Sequence, residues 1–129
     1  MSDTLFFFCS HSMYSYEEVS VTNFQSSWRD GMAFCAIIDR YRPDVLNYDD
    51  CDPETPLENL ERAFKTAEEE LGIIRIVDPE DVCVPKPDDK AVMTYVSFLR
   101  HAFPDPPPPR KKRVSHIIHV QLYTYHMFT

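Results

Sequence analysis

Seven consecutive residues, Met32-Ala33-Phe34-Cys35-Ala36-Ile37-Ile38, carry no charged or amide side chain. A helix made from such a run has no polar face, and a helix without a polar face is buried on every side. The segment therefore predicts a central helix that other elements must surround. Its expected span is residues 28–42. Ser27 stands at the N-cap position with Asp30 three residues on, close to a capping box. Pro43 marks the end.

Two further helices can supply the surroundings. Thr55-Pro56-Leu57-Glu58 is a strong helix start, with a cap residue, a proline at the first helical position and an acid at the third. Leu57, Leu60, Phe64, Ala67 and Leu71 then recur on one face, and Glu58, Glu61, Arg62, Lys65 and Glu69 occupy the other. Gly72 suits a left-handed C-terminal cap. The last helix is expected over residues 88–103, with Val92, Val96, Leu99 and Phe103 inward and Asp88 and Asp89 at the positive end of its dipole. Between them, Asp78-Pro79-Glu80-Asp81 predicts one short helical turn. No segment before Pro104 sustains strand alternation, so the fold class is all-α.

At 129 residues the chain is long enough for one domain, and 43% hydrophobic with 26% charged residues is a globular balance. Its only glycines, Gly31 and Gly72, exclude glycine-rich phosphate loops. No apolar run approaches the roughly 20 residues that span a bilayer. Leu5-Phe6-Phe7-Phe8-Cys9 is too short for a signal-peptide core and follows Asp3, not a basic segment, so a cytoplasmic location is expected. Cys9, Cys35, Cys51 and Cys83 form no Cys-x-x-Cys pair and read as reduced thiols, Cys35 as a small core residue. Net charge is −8, and between Asp44 and Asp89 fifteen acids stand against four bases. So acidic a body is a poor match for nucleic acid.

Catalytic and metal constellations are weak. His11 and His101 have no nucleophile motif beside them. His116-x-x-His119 has no third ligand. Asp50-x-Asp52-x-Glu54 with Glu61 has the acids of a calcium loop, but Thr55 stands where the loop needs glycine, so these residues read better as a helix start. No catalytic residue, metal or cofactor is expected. Beyond Pro104, Pro106 to Pro109 reads as a polyproline spacer. Arg110-Lys111-Lys112-Arg113 fits an import signal, a lipid-contacting patch or a plain basic tail, the last being the default. The segment 114–129, aromatic with some strand-like alternation, is expected outside the fold.

One stretch carries a family resemblance. Asn23-Phe24-x-x-Ser27-Trp28-x-Asp30-Gly31-x-Ala33-Phe34 resembles the signature of calponin-homology domains. Asn59-Leu60-Glu61-Arg62-Ala63-Phe64, Leu71-Gly72-Ile73, Asp78-Pro79-Glu80-Asp81-Val82 and Pro87-Asp88-Asp89-Lys90-Ala91-Val92 continue it in order. The blocks are similar to the second (type 2) domain in the paired actin-binding regions of alpha-actinin and spectrin.

The resemblance implies a calponin-homology fold of four main helices plus short ones over residues 1–104, with 105–129 a proline-rich, basic tail. The fourth main helix falls on about residues 3–13. Trp28, Gly31, Phe34, Ile38, Leu60, Phe64, Val96 and Leu99 become core positions, Gly31 a point of close helix packing. It also implies a cytoskeletal role and filamentous actin as partner, contacted through the N-terminal helix at Leu5, Phe8, Cys9 and His11. The affinity expected of one such domain alone is weak, because Phe8, Ser10 and His11 stand where the family has a Trp and basic residues. A phosphoinositide membrane surface, met by Arg29, is the alternative partner; a protein scaffold without actin contact is another.

Overall fold

The computed structural model describes residues 2–103. The proline tract, the 110–113 basic run, His116, His119 and the segment 114–129 lie outside the described residues. Five helices follow in order: α1 (Ser2–Met13), α2 (Met32–Tyr41), α3 (Pro56–Leu71), α4 (Pro79–Val82) and α5 (Asp89–Ala102). Single 3₁₀ turns at Ser26–Trp28 and Tyr48–Asp50 flank α2, and among the described residues no strand forms. This is the expected all-α architecture, with α1, α2, α3 and α5 as its main helices.

α2 is the hub. All ten of its residues are buried, and it packs against α1, α3 and α5. Behind it an aromatic cluster fills the interior. Phe34 meets Trp28 at 4.8 Å, Phe64 at 5.3 Å and Tyr95 at 5.5 Å between ring centres. Fully burying a side chain of this size contributes about 1.5–3 kcal/mol. The Trp28 indole also donates to the Asn23 carbonyl at 2.9 Å, so its one polar atom is satisfied. Trp28, Phe34, Ile38, Leu60, Phe64, Val96 and Leu99, all expected in the core, are fully buried.

The start of the central helix is a correction. It begins at Met32, not at Trp28, because Gly31 adopts a left-handed φ of 77° that interrupts any helix running through it. Ser27 caps nothing there; its hydroxyl accepts the Thr22 amide at 3.1 Å. Asp30 takes up the role instead, its carboxylate accepting the Met32 amide at 3.0 Å. The carboxyl is pushed above its ordinary value, because burial opposes its charge more than the Met32 amide favours it.

α3 keeps its expected bounds, but Thr55 makes no side-chain cap bond and donates instead to the Asp52 carbonyl at 3.1 Å. Leu57, expected inward, is 48% exposed, whereas Asn59 in the same turn is the residue that faces α2. At the far end Gly72 has φ 68°, and Ile73 donates back to the Ala67 carbonyl at 3.1 Å. α5 opens as its sequence implies, with the Asp88 side chain accepting the Lys90 amide. Just past α5, Phe103 stacks on Tyr41 with ring centres 4.5 Å apart.

Candidate functional site

Leu5, Phe8, Cys9, Ser12 and Met13 share one face of α1, the spacing of an inward stripe. All five are buried. Phe8 stacks on Tyr41, and the Arg100 guanidinium lies 5.6 Å from the Phe8 ring centre. Burial pushes the Cys9 thiol up to about 12, so it stays protonated and unreactive. The outer face carries Thr4, Phe7, Ser10 and His11, and exposed Tyr14 follows directly after the helix. Phe7 is 63% exposed and packs on the His11 ring at 4.5 Å.

The expected contact set therefore needs correcting. Leu5, Phe8 and Cys9 bind α1 to the body of the domain, and of the four expected residues only His11 faces solvent. The exposed aromatics Phe7 and Tyr14 were not anticipated. The i, i+3, i+4 spacing of Leu5, Phe8 and Cys9 is the sequence signal that marks the buried side.

Two charged residues at the end of α2 tie it to α1 and to the segments that follow each helix. Arg40 donates to the His11 and Ser12 carbonyls, each at 3.3 Å, covering the C-terminal end of α1 where carbonyls lack helical partners. Its guanidinium also lies 5.4 Å from the Tyr14 ring centre. Asp39 accepts the Tyr48 amide at 2.6 Å and the Tyr16 hydroxyl at 3.1 Å. Asp39 and Arg40 are 3% and 6% exposed, and sequence reasoning assigned them no role. Their signal was direct: charged residues continuing a run already destined for burial need partners.

The other end of α2 rests on α3. A Cβ built on Gly31 would come within 2.8 Å of both the Asn59 Cβ and the Leu60 backbone nitrogen, so the expected close packing is present. Asn59 is fully buried and donates to the Asp30 and Asp52 carbonyls at 2.8 and 2.6 Å. It also accepts the Asp52 amide at 3.2 Å. Asp50 and Asp52 of the calcium-like motif are thus parts of turns, with Asp52 accepting the Glu54 amide at 2.9 Å, while Glu61 lies on α3 and pairs with Arg75. Among the described residues no group of three or more metal-ligating side chains converges.

Arg29 is exposed, on the turn before α2. With Ser26, Asp30, Pro53, Pro56 and Cys83 it lines an open depression of about 250 Å³. Among the described residues it is the sole cation of that lining, and Asp30 sits next to it.

The comparisons with known proteins agree with this architecture. The family model of the Calponin homology (CH) domain matches residues 2–105. The chain is 48% identical over 100 residues to the sarcomeric alpha-actinin of Drosophila melanogaster, covering 77% of this chain and 11% of that protein. It is 46% identical over 99 residues to the human spectrin beta chain, non-erythrocytic 5, covering 77% of this chain and 3% of that protein. The mouse alpha-actinin-3 is 46% identical over 100 residues, again 77% of this chain and 11% of that protein. The chain thus spans only a small part of the curated relatives it matches. With the signature blocks, the all-helical fold and the family match in agreement, the chain belongs to the calponin-homology domain family.

Proposed function

We propose that this domain is a non-enzymatic module of the actin cytoskeleton, of the second type in the paired regions of alpha-actinin and spectrin, and that alone it binds filamentous actin weakly. Its membership of the family and its likeness to alpha-actinin and spectrin chains support the cytoskeletal assignment. One observation carries the weak affinity. Among the described side chains, the outer face of α1 and the residue after it offer Thr4, Phe7, Ser10, His11 and Tyr14, with no lysine or arginine. An acidic filament meets no fixed positive charge there, and the acidic body repels it at longer range.

High-speed co-sedimentation with filaments at low salt tests this reading. The chain pellets only marginally above its own background, and the excess disappears as salt is raised. Tight, saturable binding, or binding insensitive to salt, overturns it.

A phosphoinositide surface is the second reading, favoured by the exposure of Arg29 beside an open depression. A single cation next to Asp30 offers a multiply charged headgroup little attraction, which ranks this reading below the first. Flotation with liposomes that contain or lack phosphoinositide separates the two; an absence of flotation ends the second.

A further inference from the structure

Two cysteines that are distant in sequence and unremarkable there come together in the fold. Cys35 lies in the second turn of α2, fully buried. Cys51 directly follows the Tyr48–Asp50 turn and is half-buried. Both thiols lean on the same stretch of α3. The Cys35 thiol donates to the Asn59 carbonyl at 3.4 Å, and one helical turn later Arg62 reaches the Cys51 sulfur at 3.7 Å. The two thiols also lie near enough to shift each other's ionisation. The segment that carries Cys51 is held against α3: Asn59 grips Asp52 through both its amide and its carbonyl, and Arg62 donates to the Asp50 carbonyl at 3.1 Å.

We propose that Cys35 and Cys51 form a peroxide-oxidisable thiol pair, which closes to an intramolecular disulfide and ties the connection after α2 to α2 itself. The two cysteines have different chemical environments. Cys51 is partly open to solvent and adjoins a guanidinium, the setting that favours a reactive thiolate. Its thiol is held below the ordinary value, first by the neighbouring Cys35 thiol and then, against the cost of burial, by Arg62. Cys35 is pushed well up, first by the Cys51 thiol and then by burial, so it keeps its proton.

The chemistry follows from that division. The Cys51 thiolate attacks one oxygen of hydrogen peroxide; the O–O bond breaks, hydroxide leaves, and Cys51 becomes a sulfenic acid. The Cys35 sulfur then attacks the Cys51 sulfur. An S–S bond forms, the S–O bond breaks, and the hydroxyl leaves as water with the Cys35 proton. Overall, two thiols and one peroxide give one disulfide and two waters. Cys9 and Cys83 take no part: Cys9 is sealed beneath α1, and Cys83 follows α4 beside the Arg29 depression.

The test uses the whole reduced chain, treated with hydrogen peroxide, alkylated in denaturant and read by intact mass and peptide mapping. The expected product is a monomer that has lost two hydrogens, with one tryptic peptide carrying Cys35 linked to another carrying Cys51. Cys51→Ser abolishes the link while leaving the helical circular dichroism spectrum unchanged, and Cys9→Ser and Cys83→Ser each retain it. The proposal fails if Cys51 gains oxygen while Cys35 remains alkylatable. A link through Cys9 or Cys83, or a disulfide between two chains, also overturns it.

Discussion

The two ends of α2 are fixed by opposite means. At the N-terminal end, Gly31 lets the backbone approach so closely that an added methyl group would meet α3 at 2.8 Å, and buried Asn59 stitches the joint with neutral hydrogen bonds. At the C-terminal end two charges do the holding. Asp39 receives Tyr48 and Tyr16, and Arg40 covers the end of α1. The first joint is limited by volume and the second by polarity. A helix buried on all sides has no solvent-facing surface to set its rotation, so its two ends must be registered by specific contacts. Here the two kinds of contact occur on one short helix.

Substitutions can break this comparison, and Gly31→Ala has the largest expected effect. It adds a β-carbon both at a left-handed φ and against the α3 backbone, so the loss is about 3 kcal/mol or more. Urea denaturation measures it; a loss below about 1 kcal/mol means that the close approach is not needed. Asp39→Ala comes next. It strips the Tyr48 amide and the Tyr16 hydroxyl of a shared buried acceptor, at an expected cost of about 2 kcal/mol. Equal losses at Gly31 and Asp39 would erase the distinction in magnitude between the joints.

Gly72→Ala sharpens the same point, since Gly72 shares the left-handed φ but has nothing within 4 Å of an added Cβ. Its cost is the backbone strain alone, about 1 kcal/mol. The difference between the two glycine variants therefore isolates the steric part of the α2–α3 joint.

Asp30→Asn is the smallest effect, with the opposite sign. Burial raises the Asp30 carboxyl in the folded state, so its ionised form weakens the fold above that range and the penalty vanishes below the unfolded value. Because Asn can still accept the Met32 amide, the variant is slightly more stable at neutral pH. The gain disappears as pH falls below about 4. Thermal melts across pH read this directly, and a variant less stable at neutral pH contradicts the assignment.

The limits of sequence reasoning show in particular residues. Pro56 and Gly72 bound α3 correctly, and Asp88 marked the start of α5, because such signals act within a single turn of backbone. The same local logic placed the start of α2 at Trp28 and missed, because Gly31 adopts a left-handed φ at a point of close approach to Asn59 and Leu60, far along the chain. On α1 the family likeness pointed to Leu5, Phe8 and Cys9 as surface, whereas their helical spacing points inward and the structure buries them.

The sequence by itself determined that residues 32–38 would be buried, that the chain would be all-α, and that it carries the calponin-homology signature. Those follow from periodicity, from capping chemistry and from ordered motif blocks, all of which are written locally. Only the tertiary structure decided where α2 begins, which face of α1 meets solvent, how Asp39 and Arg40 are satisfied, and that Cys35 and Cys51 lean on the same stretch of α3. Each of these depends on which surfaces of distant segments meet, and side-chain spacing along one helix cannot specify what packs against it.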